Sequence, residues 1–172
     1  KALEMGCHII NDVSGKINPK MIEVVKQYNA GYIIMHSGEE TEEDISVCLH
    51  SRLLEMLNEA VELGLNKENI CIDPGIGFGK TMQQNLKLIK ETARVKIKDT
   101  AYLLGASRKR VIGYAVGDNN LSFKERDFGT VAINTIGIMG GADILRVHNV
   151  SAAVQSAAVV DKLVRKEDNT NV

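Results

Sequence analysis

Residues 70–81 read I-C-I-D-P-G-I-G-F-G-K-T, and their reading decides the fold. A short apolar run (Ile70, Cys71, Ile72) stops at Asp73 and Pro74. Three glycines then alternate with Ile76 and Phe78 before Lys80 opens an amphipathic segment. Apolar strand, glycine loop, then helix is how an α/β protein delivers a polar side chain to the end of a sheet. Proline fixes its own φ and biases the residue before it toward extended backbone, which puts the Asp73 carboxylate at the strand's carboxyl end. Gly75, Gly77 and Gly79 let the chain turn sharply and let a flat ligand approach the backbone. Neither common nucleotide motif fits. A Walker loop needs glycine where Pro74 stands, and G-x-G-x-x-G is replaced by G-x-G-x-G. Taken alone, the stretch reads best as a glycine-rich turn before a helix.

The same unit recurs on both sides. Upstream, residues 7–10 form an apolar run with a polar, turn-prone exit at Asn11 and Asp12. Asn18 and Pro19 are a helix N-cap and first residue, and the helix runs over 19–29 with Met21, Ile22, Val24, Val25 and Tyr28 inward. A strand over 31–35 leads to His36, and apolar spacing over 45–65 predicts a long helix ending near Gly64. The acidic run over 38–44 reads as a solvated loop and helix start rather than a cation site, since acids favour helix N-termini.

Downstream, a helix is predicted over 86–97 and a strand over 101–104 that delivers Ser107-Arg108-Lys109-Arg110. Helices over 111–116 and 128–139 follow, and a strand over 142–145 reaches Arg146-Val147-His148. Ser151 would cap a last helix whose apolar positions include Val154, Ala158, Val159 and Leu163, before a polar tail over 165–172. Five strand exits are therefore polar: Asn11, His36, Asp73, Ser107 and Arg146. Right-handed βα units gather such exits at one end of a parallel sheet, where ligands bind in barrels and open sheets alike.

Composition excludes several classes. With 44% hydrophobic and 25% charged residues, the 172 residues read as one domain, 1–172, able to bury a core. Lys plus Arg total 21 against 22 Asp plus Glu, so nothing calls for nucleic acid or an acidic membrane as partner. No apolar run reaches membrane-spanning length. Cys7, Cys48 and Cys71 are far apart and odd in number, which favours free thiols in a reducing, cytoplasmic setting. The opening residues 1–6 read as the last turn of a helix closed by glycine, so the chain is expected to be part of something longer. Five units could make a self-contained flavodoxin-like sheet, or the later part of an eight-stranded barrel of ~250 residues.

Together the motifs resemble dihydropteroate synthase. Asn11-Asp12, Met35-His36, the D-P-G-I-G-F-G-K loop, Ser107-Arg108-Lys109 and Arg146-Val147-His148 carry the resemblance in order and spacing. It implies a (β/α)8 TIM barrel of which this chain holds about the last five βα units. The implied reaction joins 6-hydroxymethyl-7,8-dihydropterin pyrophosphate to para-aminobenzoate in folate synthesis, with Mg²⁺ accompanying the pyrophosphate and no metal ligand in this chain. By resemblance, Asp73 and Asn11 meet the polar edge of the pterin, Met35 and Phe78 pack on its ring, and Lys109 reaches its carbonyl and the arylamine. Asp73 and Lys109 are the catalytic candidates, while Ser107, Arg146, Val147 and His148 belong to substrate binding, with Arg146 and His148 holding the pyrophosphate. Homodimers are usual in the family.

Plainer readings stand beside these. Asp73 and Asn11-Asp12 could serve turns, Met35 and Phe78 the core, and residues 107–110 a solvated basic helix start. His148 alone is more often structural. Cations at a helix N-terminus oppose its dipole and ask for a reason, such as a bound anion. The family's early-strand motifs are absent, and its usual R-V-H-D ends here in Asn149. The isolated chain is thus expected not to turn over. A corrinoid-dependent pterin methyltransferase is the nearest rival, disfavoured by the two anion motifs, and a non-catalytic α/β ligand-binding module is another.

Overall fold

In the computed structural model, residues 1–39 and 44–164 are described. Most of the acidic run (40–43) and the polar tail (165–172) lie outside the described residues. Five parallel strands pair strictly in chain order: β1 (Ile9–Asp12), β2 (Gly31–Met35), β3 (Ile70–Asp73), β4 (Ala101–Leu104) and β5 (Ile144–Leu145). Between them run α1 (Pro19–Gln27), α2 (Ile45–Glu62), α3 (Met82–Lys90), α4 (Thr92–Val95), α5 (Arg110–Val116) and α6 (Arg126–Met139), with α7 (Val150–Val164) last. A flavodoxin-like sheet must reverse its strand order at a switch point, whereas an unbroken order belongs to the wall of a barrel. The fold is therefore five units of a (β/α)8 barrel.

The two sheet faces differ as that wall requires. Tyr32, Ile34, Ile70, Ile72, Tyr102 and Leu104 point outward and join Leu49, Leu53, Leu57 and Leu88 of the helices in the main core. Ile33, Cys71 and Leu103 form a separate small cluster on the inner face. Because side chains alternate along a strand, Asn11, Met35 and Asp73 share that inner face, and the register sets Met35 directly beside Asp73.

The elements differ from the sequence reading in instructive ways. β1 is displaced by two residues, so Asn11 and Asp12 belong to the strand, where Asp12 Oδ2 accepts the Tyr32 hydroxyl at 2.6 Å. α3 begins four residues before the expected start, since Thr81 and Gln84 form a capping box. It then breaks at Glu91, where the Thr92 hydroxyl donates back to the Ile89 carbonyl at 3.0 Å. β5 is shorter than expected because Asp143 Oδ2 accepts the Tyr102 N–H at 2.8 Å and takes a ladder position itself. α7 is capped by Asn149, which accepts the Ala152 N–H at 3.1 Å, and not by Ser151. α7 buries Ala153 and Val160 while Val154, Ala158, Val159 and Leu163 face out. On α1, Met21, Val24 and Tyr28 are likewise exposed, and Ile22 and Val25 make the contact. An arc of five strands gives its outer helices fewer neighbours than a closed barrel would.

Leu88 is fully enclosed between α3 and the sheet. Leu88→Ala is expected to lower unfolding free energy by about 2–5 kcal/mol in urea titration, the usual cost of a core cavity.

Candidate active site

The site grows from the carboxyl end of β3. Asp73 is 1% exposed, at the point where the strand yields to the glycine loop. Its Oδ1 accepts the Gly75 N–H at 2.8 Å, and its Oδ2 lies 3.3 Å from the Arg146 guanidinium arriving from the end of β5. Burial raises the Asp73 pKa above the ordinary carboxylate value, against the Gly75 hydrogen bond and the charges of Arg146, Lys109 and Lys80. Gly105 follows β4 beside this pair, and a Cβ there would stand 2.7 Å from the guanidinium. Glycine is therefore what lets Arg146 lie flat against the strand exit.

The loop itself is a folded cradle. Gly75, Gly77 and Gly79 all have positive φ, which only glycine adopts readily. Asn85 ties the loop from beneath, accepting the Gly77 N–H at 2.7 Å and donating to the Thr81 carbonyl at 2.8 Å. Lys80, nearly buried, sends its ammonium to the carbonyls of Phe78 (3.1 Å), Gly75 (3.3 Å) and His36 (3.4 Å). The loop so held presents Phe78, whose ring lies 4.8 Å from Lys109 Nζ. Lys109 also donates to the Ile76 carbonyl. Its burial, only partly offset by Asp73 and reinforced by Arg146, brings its pKa down to about 8.

The basic run after β4 sorts into separate tasks. Arg108, at positive φ, is held by Asp127 through contacts of 2.7 and 2.9 Å, which explains a cation beside a helix N-terminus without any ligand. Arg110 is exposed, and Lys109 alone of the three turns toward Asp73's loop. Ser107 is buried and meets His148 Nδ1 at 3.0 Å, while accepting the His148 N–H at 3.2 Å. The hydroxyl thereby fixes the imidazole and turns Nε2 away from it. Asn149, the departure from R-V-H-D, donates to Asp127 at 3.3 Å; an aspartate there would set two carboxylates together.

The structure thus brings Asp73, Lys109, Phe78 and Arg146 into one contact network and joins Ser107 to His148. Met35 is fully buried beside Asp73, and Asn11 is exposed on the same inner face. Val147, together with Arg146, lines a cleft of about 460 Å³ against Val150, Ala153 and Val154 of α7. Sequence reasoning gave no role to Lys80, Asn85, Asp127 or Gly105. A buried asparagine on the Leu88 face of α3 was the one available signal, since polar residues in an apolar stripe need a partner. Outside Phe78 and Lys109, a cleft of about 390 Å³ is walled by Phe78 and Phe123 and edged by Lys109, Arg110 and Arg126, with no acidic residue in its lining.

With that geometry in view, comparison with known proteins is specific. The pterin-binding enzyme family matches residues 1–148. This chain belongs to that family. It is 41% identical to the dihydropteroate synthase of Clostridium beijerinckii over 96% of this chain and 62% of that enzyme. Among solved structures, the Clostridium difficile dihydropteroate synthase crystallised in the presence of pteroic acid superposes with a TM-score of 0.88. Identity there is 35%, covering 96% of this chain and 63% of that one. The Xanthomonas albilineans enzyme in complex with 7,8-dihydropteroate gives a TM-score of 0.87 at 31% identity, over 94% of this chain and 61% of that one. The chain thus spans about 62% of the first of these relatives.

Lys109 should titrate near pH 8, against ~10.4 for an unperturbed lysine. The folded state disfavours its charge, so its contribution to stability is present above the unfolded value and lost as pH falls through about 8. Amine labelling read by mass spectrometry checks the midpoint. Asp73→Asn removes an attractive charge and should move it lower still.

Proposed function

We propose that this chain forms the pterin- and anion-binding part of a dihydropteroate synthase. That enzyme condenses 6-hydroxymethyl-7,8-dihydropterin pyrophosphate with para-aminobenzoate to give dihydropteroate and pyrophosphate. The observation that carries the reading is the buried Asp73 carboxylate, paired to Arg146 on a wall with Met35 and faced by Phe78 and Lys109. A pterin presents ring N–H groups that a buried carboxylate accepts, and a flat face that Met35 and Phe78 cover. Asn11 offers a carboxamide on the same inner face, and Lys109 a donor for the pterin carbonyl.

In the reaction the bond between the pterin methylene and the pyrophosphate oxygen breaks, and its electron pair leaves with the pyrophosphate. The amine nitrogen then bonds that methylene and loses a proton. Arg146, and His148 with its ring held by Ser107, stabilise charge on the departing group, which is where fixed cations and donors accelerate a reaction. These two residues are what favour this reading over methyl transfer, which has no pyrophosphate to hold. The cleft between Phe78 and Phe123 suits an aromatic carboxylate, with Arg110 and Arg126 at its acid end.

Mg²⁺ would arrive with the pyrophosphate. Among the described residues no group of three His, Cys, Asp or Glu could hold a metal, and Asp73's oxygens are taken by Gly75 and Arg146. The described side chains therefore do not fit a resident ion, and no step here runs through one. For the assembly we propose a homodimer using the α6 surface, where Phe128 (87%) and Met139 (63%) are exposed. The three free cysteines agree with a cytoplasmic setting. Among the described residues no helix is long and apolar enough to cross a membrane.

Calorimetric titration separates the two halves of the site. His148→Ala should weaken the dihydropterin pyrophosphate about 10-fold, the worth of a hydrogen bond to a charged group, and leave the unphosphorylated hydroxymethyl-dihydropterin unchanged. Equal losses for both ligands, or no binding to the unmodified protein, would overturn the reading.

A further inference from the structure

Lys80 is a buried lysine whose ammonium is shared among the carbonyls of His36, Gly75 and Phe78. Those carbonyls belong to two different loops. His36 ends the β2 exit, beside the buried Met35, while Gly75 and Phe78 bound the turn that follows Asp73. Hydrogen bonds from a charged donor are stronger than neutral ones, and a cation with three N–H groups suits three converging acceptors. The glycines fit around the same point. A side chain at Gly75 would strike the His36 carbonyl, and one at Gly79 would strike the Gly38 backbone.

From this juxtaposition we infer that Lys80 is a positioning residue: its ammonium pins the glycine loop to the β2 exit and so sets Phe78 beneath Lys109. The inference rests on the pterin reading for its functional meaning, since it makes the pterin floor (Met35) and the Phe78 cover a single unit. Without the pin, residues 75–79 keep the Gly75 N–H bond to Asp73, the Asn85 tie to Gly77, the Lys109 donation to Ile76 and the Phe78 N–H to Gly75 carbonyl turn bond of 3.0 Å, and none of these reaches the β2 exit. Five-residue glycine-rich segments are readily mobile when released. A loosened loop uncovers Lys109 to water and removes the ring from over its ammonium.

The test reads the loop and the ligand separately. Lys80→Met keeps the length and apolar stem of the side chain without the ammonium. The Lys109 labelling midpoint should climb from about 8 toward the ordinary lysine value, and dihydropterin pyrophosphate affinity should fall ~10-fold or more. If Lys80→Met does not fold, Lys80→Gln, which retains a shorter donor, is measured in its place with the same expectation. A folded variant with an unshifted midpoint and unchanged affinity overturns the inference while leaving the pterin reading intact. A shifted midpoint in a protein that binds no pterin at all supports the pin and sinks the pterin reading instead.

Discussion

A carboxylate buried at the end of a parallel strand must find its hydrogen bonds in the fold, because water is not there to supply them. Asp73 finds one in the Gly75 N–H and one in Arg146, a residue that arrives from two strands away along the sheet. Both partners impose conditions. Gly75 donates only because the chain turns back at once after Pro74, with a positive φ that needs glycine. Arg146 reaches only because β4 ends in a glycine over which the guanidinium can lie. The pair therefore ties the middle of the wall to its last strand, and the site exists only where the sheet is assembled.

Electrostatics around that pair are deliberately unequal. Burial pushes Asp73 up and Lys109 down, so each resists being charged alone, and each lowers the other's cost. Arg146, 40% exposed, carries its charge at the rim, where an anion can share it. Arg108 is removed from the field by Asp127. What is left is a graded surface: neutral at Met35, carboxylate at Asp73, cation at Lys109, Arg146 and the outer arginines. A pterin with a charged leaving group, followed by an aromatic carboxylate, has the complementary sequence of charges.

Much of this was legible in the residues. β2, β3 and β4 end where apolar runs meet polar residues, and alternation along each strand puts Asn11, Met35 and Asp73 on one face. What sequence spacing could not express was backbone recognition. Lys80 binds carbonyls, which every residue carries, and Asn85 binds an N–H of the same kind. The Arg108 and Asp127 pair spans nineteen positions and crosses a helix, with no pattern to announce it. The inward face of α1 was drawn too wide for a topological reason: apolar spacing marks Met21, Val24 and Tyr28 as well as Ile22 and Val25, but an arc of five strands covers only the last two.

The account stands on the buried carboxylate as the ligand's anchor. Calorimetric titration of the unphosphorylated hydroxymethyl-dihydropterin into the protein and into Asp73→Asn measures that directly, free of any contribution from the pyrophosphate. The account predicts a loss of about 100-fold or more, since a buried charge-assisted pair of hydrogen bonds is replaced by a group of the wrong polarity. Equal affinity in the two proteins would contradict it, and would move the recognition site away from the end of β3.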